Sequence, residues 1–283
     1  MNKEILIVGL GLIGASYALK LKDEGYTIYA ISRSDDTIKY AIDNDIIKEG
    51  YTSVNKSFVK RFDYVVLGLY PKVLTEWLEK YHTYFKEGAF ITDVTGVKSS
   101  IVSKVEEILK DDKVNFIASH PMAGREVYGI RNAKKDLFIG ANLIVTPTIN
   151  TTQESFDFIS TLGKDLGFKR ISILTPEEHD KMIAYLSQLT HIIAISLMTA
   201  QDYTDLQDYT GDSFRDLTRI ANINEDMWSE LFLLNKEELV KQLDLFICEI
   251  ENIKELLSNE DLEALKEKMR LSSERRKLFN RSE

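Results

Sequence analysis

The stretch ILIVGLGLIG, residues 5–14, constrains the fold of this chain more than any other. Its first four residues are apolar and predict a buried parallel strand. Glycines then follow at the spacing of a dinucleotide-binding turn, where they permit a tight bend, a close approach of backbone to pyrophosphate and close packing of the next helix. A bare tight turn is the alternative interpretation. The predicted cofactor contacts in this turn are Gly9, Leu10, Gly11, Leu12, Ile13 and Gly14.

Strands and helices alternate along the first part of the chain, which predicts an α/β fold with a Rossmann-type, doubly wound, mostly parallel sheet. The predicted strands after the first are 27–32, 63–69, 89–93, 115–118, 141–146 and 170–174, and the predicted helices are 12–22, 36–49, 73–85, 99–109 and 152–166. From Pro176 onward only helical periodicity remains, over about 181–202, 213–221, 225–257 and 259–280. We therefore predict a dinucleotide-binding domain at 1–174 and an all-helical domain at 175–283, with the active site between them at the carboxyl ends of the strands.

Composition excludes several classes of function. A net charge of -9 over 283 residues argues against a nucleic-acid surface, which needs basic side chains. The single cysteine, Cys248, excludes an internal disulfide framework, and no cluster of cysteine and histidine predicts a metal site. The first strand begins within four residues of Met1, and no apolar run is expected to reach the length of a membrane span, so a cytoplasmic protein that binds a small molecule is expected.

The end of the second predicted strand indicates the cofactor. An acidic residue there would bind the free 2'-hydroxyl of NAD, but the sequence has Ser32, Arg33 and Ser34. An arginine flanked by hydroxyls is suited to a 2'-phosphate, so NADP is favoured and NAD is the alternative. Asp35 and Asp36 follow where a helix N-terminus would use them.

Four histidines are candidates for a base that works near neutral pH. His120 follows the predicted strand NFIAS, in a loop where this fold places reactive residues, and is the predicted catalytic base. His82 lies in a charged stretch and His179 in the helix start TPEEHD, so both are predicted to be exposed. His191 lies one turn after Gln188 on an otherwise apolar helix and needs a partner, either in the core or in a ligand.

Arg215 and Arg219 stand four residues apart, on one helical face with Asp212 and Asp216 nearby. A salt-bridged surface is the simplest interpretation of that spacing. The functional alternative is a clamp for a substrate carboxylate, because arginine binds carboxylates with two hydrogen bonds.

These residues resemble the prephenate and arogenate dehydrogenases of tyrosine biosynthesis over nearly the whole chain. The motifs that carry the resemblance are GLGLIG at 9–14, DVTGVK at 93–98, SHPMAGREVYG at 119–129, LSQLTH at 186–191 and FRDLTRIA at 214–221. The resemblance implies an oxidative decarboxylation in which His120 takes the proton of a ring hydroxyl while hydride passes to the nicotinamide.

The resemblance also implies substrate contacts and a dimer. Arg219 would bind a substrate carboxylate, His191 would line the pocket, and Asp216 would order the arginine. Glu126 would lie at the pocket mouth and Trp228 near the pocket at a dimer interface. The helical domain would hold two copies of the chain together, and no fused regulatory domain is expected.

Three residues depart from the family pattern. Gly96 replaces a frequent serine that orients the catalytic histidine, so Thr95, also a predicted cofactor contact, or a water would do so. Gln188 replaces a histidine and Arg125 a threonine, both beside the substrate, and these changes leave prephenate or arogenate open. Other hydroxyacid dehydrogenases or imine reductases, and a nonenzymatic dinucleotide sensor, are the competing hypotheses.

Overall fold

The structure, a computed structural model, describes residues 3–202 and 204–278. In this part of the chain eight strands form one sheet in the order β3-β2-β1-β4-β5-β6-β7-β8. All neighbouring strands are parallel except β6 and β7. The strands are β1 Glu4–Val8, β2 Thr27–Ile31, β3 Glu49–Tyr51, β4 Tyr64–Leu67, β5 Phe90–Asp93, β6 Asn115–Met122, β7 Asn142–Thr146 and β8 Arg170–Ile173. The predicted Rossmann-type fold with a helical C-terminal region is confirmed.

Helices cover both faces of the sheet. They are α1 Leu12–Asp23, α2 Asp35–Asp43, α3 Lys56–Val59, α4 Pro71–Tyr81, α5 Ser99–Leu109 and α6 Gln153–Asp165. Alternate side chains of β1 enter two separate cores: Ile5 and Ile7 pack with α1 and α6, and Leu6 and Val8 pack with α3, α4 and α5. Burial on both faces explains why this strand is an unbroken apolar run.

Two predicted boundaries are wrong, and both errors are local. The helix predicted to reach residue 49 ends at Asp43, and Asp45 then takes a φ of 55°, which a helix does not allow. The freed segment forms the short edge strand β3. The strand predicted over 115–118 runs on to Met122, because its last residues pair with the antiparallel strand β7.

A continuous helical run leaves the sheet after β8. It consists of α7 Pro176–Ile183, a π-helical segment Ala184–Gln188 and α8 Leu189–Thr199. The run has 24 residues, and an 18-residue window within it has a mean hydropathy of 1.4, so it is long and apolar enough to cross a membrane by length and composition. The prediction that no run reaches that length is therefore wrong, although two ionisable residues of α7, His179 and Asp180, are buried against protein.

Shorter helices complete this unit, which comprises residues 1–235. They are α9 Leu206–Tyr209, α10 Asp212–Thr218, a 3₁₀ turn Arg219–Ala221 and α11 Glu225–Leu234. The second compact unit, residues 236–283, contains α12 Lys236–Ser258 and α13 Leu262–Lys277, which are joined by an ion pair of 2.6 Å between Lys268 Nζ and Glu249 Oε1. The predicted domain boundary at 174/175 stays a prediction.

Candidate active site

The glycine turn between β1 and α1 has the geometry of a phosphate cradle. Gly9 has a φ of 98°, and a Cβ there would lie 2.3 Å from the carbonyl oxygen of Gly68. A Cβ on Gly14 would lie 2.0 Å from the carbonyl oxygen of Gly9, so only glycine allows this packing. At Gly11, in contrast, no protein atom lies within 4 Å of the Cβ position, and no side chain caps the helix that follows. Open space beside free helix amides fits a pyrophosphate.

The residues predicted to select the cofactor follow β2. Ser34 caps α2 by accepting a hydrogen bond from the amide of Thr37. Arg33 is exposed and has no ion-pair partner among the described residues, whereas the neighbouring Asp36 is paired with Arg131 at 3.2 Å. The guanidinium of Arg33 lies close enough to the Tyr70 hydroxyl to act on its pKa, although burial dominates and raises that pKa. Arg33 therefore places a positive charge, with no ion-pair partner among the described residues, at the end of β2, where a bound 2'-phosphate is expected.

His120 lies within β6, not in the loop after it as predicted. Pairing with Ile144 of β7 fixes its backbone. Because side chains alternate along a strand, the side chain of the neighbouring Ser119 points to the opposite face. The backbone amide of Ser119 donates to Asp93 Oδ1 at 3.1 Å. A reactive side chain on a paired strand is held more rigidly than one on a loop.

His179 is fully buried and hydrogen-bonded to His120, so the prediction that it is exposed is wrong. The distance from His120 Nδ1 to His179 Nε2 is 2.9 Å, and the distance from His179 Nδ1 to Asp180 Oδ1 is 2.8 Å. Asp180 also accepts from the amides of Lys98 and Ser99, both at 2.7 Å, at the start of α5. Glu177 and Glu178 at the start of α7 are exposed, whereas His179 and Asp180 are buried because Asp180 caps this other helix.

A second buried carboxylate, Asp93, lies at the carboxyl end of β5. Its Oδ2 accepts from Lys98 Nζ at 2.6 Å and from the hydroxyl of Thr95, which also donates to the carbonyl oxygen of Val97. The hydroxyl of Thr95 is thus used within the protein, and the structure shows His179, not Thr95, bonded to His120. This geometry also argues against the predicted cofactor contact through that hydroxyl.

The surroundings keep His120 neutral. Burial lowers the pKa of His120 well below its ordinary value near 6.5, and the nearby His179 and the charge of Lys98 act in the same direction. Burial lowers the pKa of His179 as well, against the opposing effect of its hydrogen bond to Asp180. Burial would raise the pKa of Asp180, but the hydrogen bonds from His179 and the amide of Ser99 outweigh it, and the pKa is lowered. At neutral pH a carboxylate therefore faces two neutral imidazoles.

The second ring nitrogen of His120 faces Gly96 and α11. A Cβ on Gly96 would lie 3.7 Å from His120 Nε2 and 3.5 Å from a methyl group of Leu231. Leu231 thus lies beside His120 Nε2, and no motif around Leu231 predicted this position. On the same helix Glu230 accepts from the amide of Lys72 at 2.5 Å and caps α4, which holds α11 against the nucleotide-binding part.

Gln188, predicted to contact substrate, is buried and bonded within the protein. Its amide nitrogen donates to the carbonyl oxygen of Leu231 at 2.9 Å, and its oxygen accepts from Asn235 at 2.8 Å. Asn235 also donates to the backbone oxygen of Asp180 at 2.9 Å. With both ends of its amide occupied, Gln188 stabilises the helices around His179, which argues against direct substrate contact.

Arg219 forms an ion pair with Glu126, in the loop after β6. The two side chains come from positions 93 residues apart and are the expected carboxylate-binding arginine and the acidic residue of the pocket mouth. The predicted partner Asp216 is not the one that Arg219 uses here. Burial would raise the pKa of Glu126, but its own amide and Arg219 outweigh this effect and lower it. Arg215 pairs with Asp212 at 3.5 Å and is exposed, as is Arg125.

His191 lies beside this pair. Its ring stacks on Trp228 of α11 with centroids 3.7 Å apart, and its Nδ1 donates to the carbonyl oxygen of Ser187 at 2.9 Å. Ser187 lies in the π-helical segment, one turn before His191. Burial lowers the pKa of His191. Charges on both Glu126 and Arg219 act on that pKa, so the structure brings His191, Trp228, Glu126 and Arg219 together.

The candidate site thus offers a neutral histidine, an arginine that could bind an anionic group and a turn that could hold a nucleotide. Among residues 3–202 and 204–278 no group of three histidine, cysteine, aspartate or glutamate side chains is suited to a metal ion. The residues that sequence reasoning missed are His179, Asp180, Lys98 and Leu231. His179 bonds to His120, 59 residues away, and its only local signal is the HD pair within TPEEHD. Lys98 lies in the motif DVTGVK and bonds to Asp93 five residues earlier, which the motif could have indicated. Nothing near Leu231 in the sequence indicates its place beside His120.

Comparisons with known proteins agree with this arrangement. Residues 17–172 match the family model for the nucleotide-binding domain of prephenate dehydrogenase, and residues 175–271 match its dimerization domain. Prephenate dehydrogenase of Lactococcus lactis subsp. cremoris is 32% identical over 93% of this chain and 73% of its own length.

Solved structures are similar over nearly the full length. Prephenate dehydrogenase from A. aeolicus, in complex with hydroxyphenyl propionate and NAD+, superimposes with a TM-score of 0.89 at 31% identity and covers 98% of both chains. Arogenate dehydrogenase from Synechocystis superimposes with a TM-score of 0.83 at 27% identity, covering 98% of this chain and 99% of its own.

Proposed function

Since the chain belongs to the prephenate dehydrogenase family, we propose that it oxidises and decarboxylates prephenate to 4-hydroxyphenylpyruvate and CO2 with a nicotinamide cofactor. The observation that carries this proposal is the neutral, partly buried His120, whose Nδ1 is bonded to His179 and whose Nε2 faces Gly96 beside Leu231. Arogenate is the alternative substrate. It carries an amino acid side chain where prephenate carries a keto acid.

His120 acts first as a base. Its Nε2 takes the proton of the ring hydroxyl as the carbon that bears this hydroxyl gives up hydride. The lowered pKa of His120 supports this role, because a neutral ring has one nitrogen free to accept a proton. Arg219 binds a carboxylate of the substrate, which replaces Glu126 as its partner.

Loss of CO2 completes the reaction. The bond between the ring and its carboxylate breaks, and the electron pair of that bond enters the ring and makes it aromatic. The former hydroxyl oxygen leaves this step as a phenolate, and His120 returns the proton to it. Release of a gas and formation of an aromatic ring make the step effectively irreversible.

The residues of the glycine turn fit a dinucleotide. Gly11 leaves room for a pyrophosphate next to the free amides of α1, as measured above. The bound nicotinamide would accept the hydride. Ser32, Arg33 and Ser34 would hold the adenosine ribose, and the unpaired guanidinium of Arg33 supports NADP over NAD.

Replacing Arg33 tests this preference. For Arg33→Ala we expect the KM for NADP to rise roughly tenfold and the KM for NAD to change little, because only NADP carries the 2'-phosphate. Steady-state kinetics with each cofactor measures both values. Equal changes for the two cofactors would contradict a role of Arg33 at the 2'-phosphate.

A homodimer through the helical region is also proposed. The match to the dimerization domain supports it, as do apolar side chains of the α7 to α8 run that are exposed in a single chain, including Tyr185 at 57% and Leu186 at 46%. Light scattering should give twice the chain mass of 32.5 kDa.

The single cysteine, Cys248, is exposed and unpaired, which fits the proposed cytoplasmic location.

A crossed assay tests the reaction. Prephenate and arogenate are each combined with NAD and with NADP, and reduced cofactor is followed by its absorbance. We expect clear turnover with prephenate, and clear turnover with arogenate alone would favour the alternative. No reduction in any combination would refute the proposal and favour a hydroxyacid dehydrogenase or a dinucleotide sensor.

Replacing His120 tests the mechanism. For His120→Asn we expect kcat to fall roughly 100-fold to 10,000-fold with little change in cofactor binding, as for a lost general base. Cofactor affinity of the variant, measured by fluorescence, is the control. Near-normal turnover would show that His120 is not the base.

A further inference from the structure

A chain of two hydrogen bonds connects His120 to a buried carboxylate that makes no direct contact with the reacting groups. Asp180 bonds to His179, and His179 bonds to His120. Asp180 is itself fixed, because its two oxygens accept from the amides of Lys98 and Ser99. Asp180, at the far end of these two hydrogen bonds, is therefore held in place and negatively charged.

These contacts determine which nitrogen of each ring carries the proton. An ionised carboxylate only accepts hydrogen bonds, so His179 Nδ1 must donate to Asp180. The neutral ring of His179 then has its lone pair on Nε2 and can only accept from His120 Nδ1. The neutral His120 consequently has its lone pair on Nε2, the nitrogen that faces Gly96. This is the tautomer that a base at Nε2 requires.

No described side chain supplies a second support for the ring. Gly96 has no hydroxyl to offer to His120 Nε2, and the hydroxyl of Thr95 is bonded to Asp93 and to the carbonyl oxygen of Val97. In this chain the orientation of His120 thus depends on His179.

The surroundings keep the resting ring of His120 ready to accept a proton. Burial and the charge of Lys98 both lower its pKa, so the ring is neutral when substrate binds.

We propose that His179 and Asp180 are positioning residues that hold His120 in the tautomer with Nε2 free for the substrate proton. This inference rests on the proposed function, in which His120 is the base. It assigns a catalytic purpose to a histidine and an aspartate that belong to the helical part of the fold but act on a strand of the sheet.

Two substitutions of His179 distinguish its role as a hydrogen-bond acceptor for His120 from a role in packing alone. In His179→Gln the side-chain oxygen can accept from His120 Nδ1, so the required tautomer is kept. In His179→Leu the acceptor is lost and a similar volume stays filled. We expect kcat to fall roughly 100-fold or more in the leucine variant and to stay within about tenfold of wild type in the glutamine variant, with KM nearly constant in both.

Asp180→Asn offers a second test, at the carboxylate two hydrogen bonds away from His120. The amide nitrogen of asparagine is a donor, which favours the reversed tautomer of both rings, so we expect a loss of kcat similar to that of His179→Leu. His82→Gln is the matched control, because His82 bonds to Asp112 at 2.7 Å in another His-Asp pair away from the site. We expect its kcat to equal that of wild type.

Nitrogen NMR of the imidazole rings in the wild-type protein tests the tautomer without any substitution. We expect His120 to carry its proton on Nδ1 at pH 7. A proton on Nε2 would overturn the proposal, as would normal kcat in a folded leucine variant or equal losses in the leucine and glutamine variants. Wild-type protein without activity would refute the proposed function instead, whereas an active wild type with unaffected variants would refute only this inference.

Discussion

Single residues of the glycine turn have separable tasks. Gly14 is required by packing, because a Cβ there would lie 2.0 Å from a backbone oxygen. Gly11 is not required by packing, because nothing surrounds its Cβ position. The spacing alone predicted both roles, since each follows from the geometry of a strand that turns into a helix within four residues. Stability and cofactor binding should therefore respond to different substitutions.

For Gly14→Ala we expect the free energy of unfolding to fall by about 1–3 kcal/mol, as for an overpacked site. For Gly11→Ala we expect a change below about 1 kcal/mol but at least a tenfold loss in dinucleotide affinity, because the methyl group occupies the place of the pyrophosphate. Urea unfolding without cofactor and calorimetric titration with NADP measure the two effects. A Gly11 variant that binds as tightly as wild type would contradict the cradle.

At the scale of elements, periodicity predicted which segments are strands and helices, but contacts between distant segments decided how they end. β6 extends through His120 because β7, more than twenty residues later, pairs with it. The first turn of α7 looked solvated because TPEEHD is a polar helix start with a capping box, which it indeed has at Thr175. Glu177 and Glu178 are indeed exposed, but His179 and Asp180 are buried, and Asp180 caps α5, whose start is 81 residues earlier in the chain.

In the candidate site, too, the sequence predicted the residues, whereas contacts between distant segments decided their partners. Motifs predicted His120, His191, Arg219, Glu126 and Trp228, and the last four are brought together in space. The π-helical segment Ala184–Gln188, just before His191, was not predicted, because the apolar pattern over 181–202 indicated one regular helix. Partner choice, such as Glu126 in place of Asp216, depends on three-dimensional proximity that local spacing cannot give.

At the scale of the whole molecule, the buried histidines link stability to pH. The pKa values of His120 and His179 are lowered in the folded state, so the unfolded chain binds more protons below pH 6.5. The stabilising contribution of neutral rings is therefore complete above pH 6.5 and is lost as the pH falls below it. Asp180, whose carboxyl pKa is lowered in the folded state, stabilises the fold at neutral pH and loses that contribution only as the pH falls below its ordinary value of 3.8.

We expect the free energy of unfolding to fall by about 2–4 kcal/mol between pH 6.5 and 5, from at most about 1.4 kcal/mol per pH unit for each histidine. Urea unfolding at a series of pH values and a constant protein concentration measures it. His179→Gln should show a shallower slope, because one of the two rings is gone. An identical slope in that variant would mean that other groups cause the dependence.

The stacking of Trp228 on His191 gives the unmodified protein an optical reporter. The chain has two tryptophans, and the other, Trp77, packs against Tyr81 and Phe85 with its indole nitrogen buried. Emission from Trp77 should stay constant while that of Trp228 changes whenever a ligand disturbs the ring beside it. Occupancy of the substrate end can thus be followed by light alone, with the cofactor omitted and no turnover taking place.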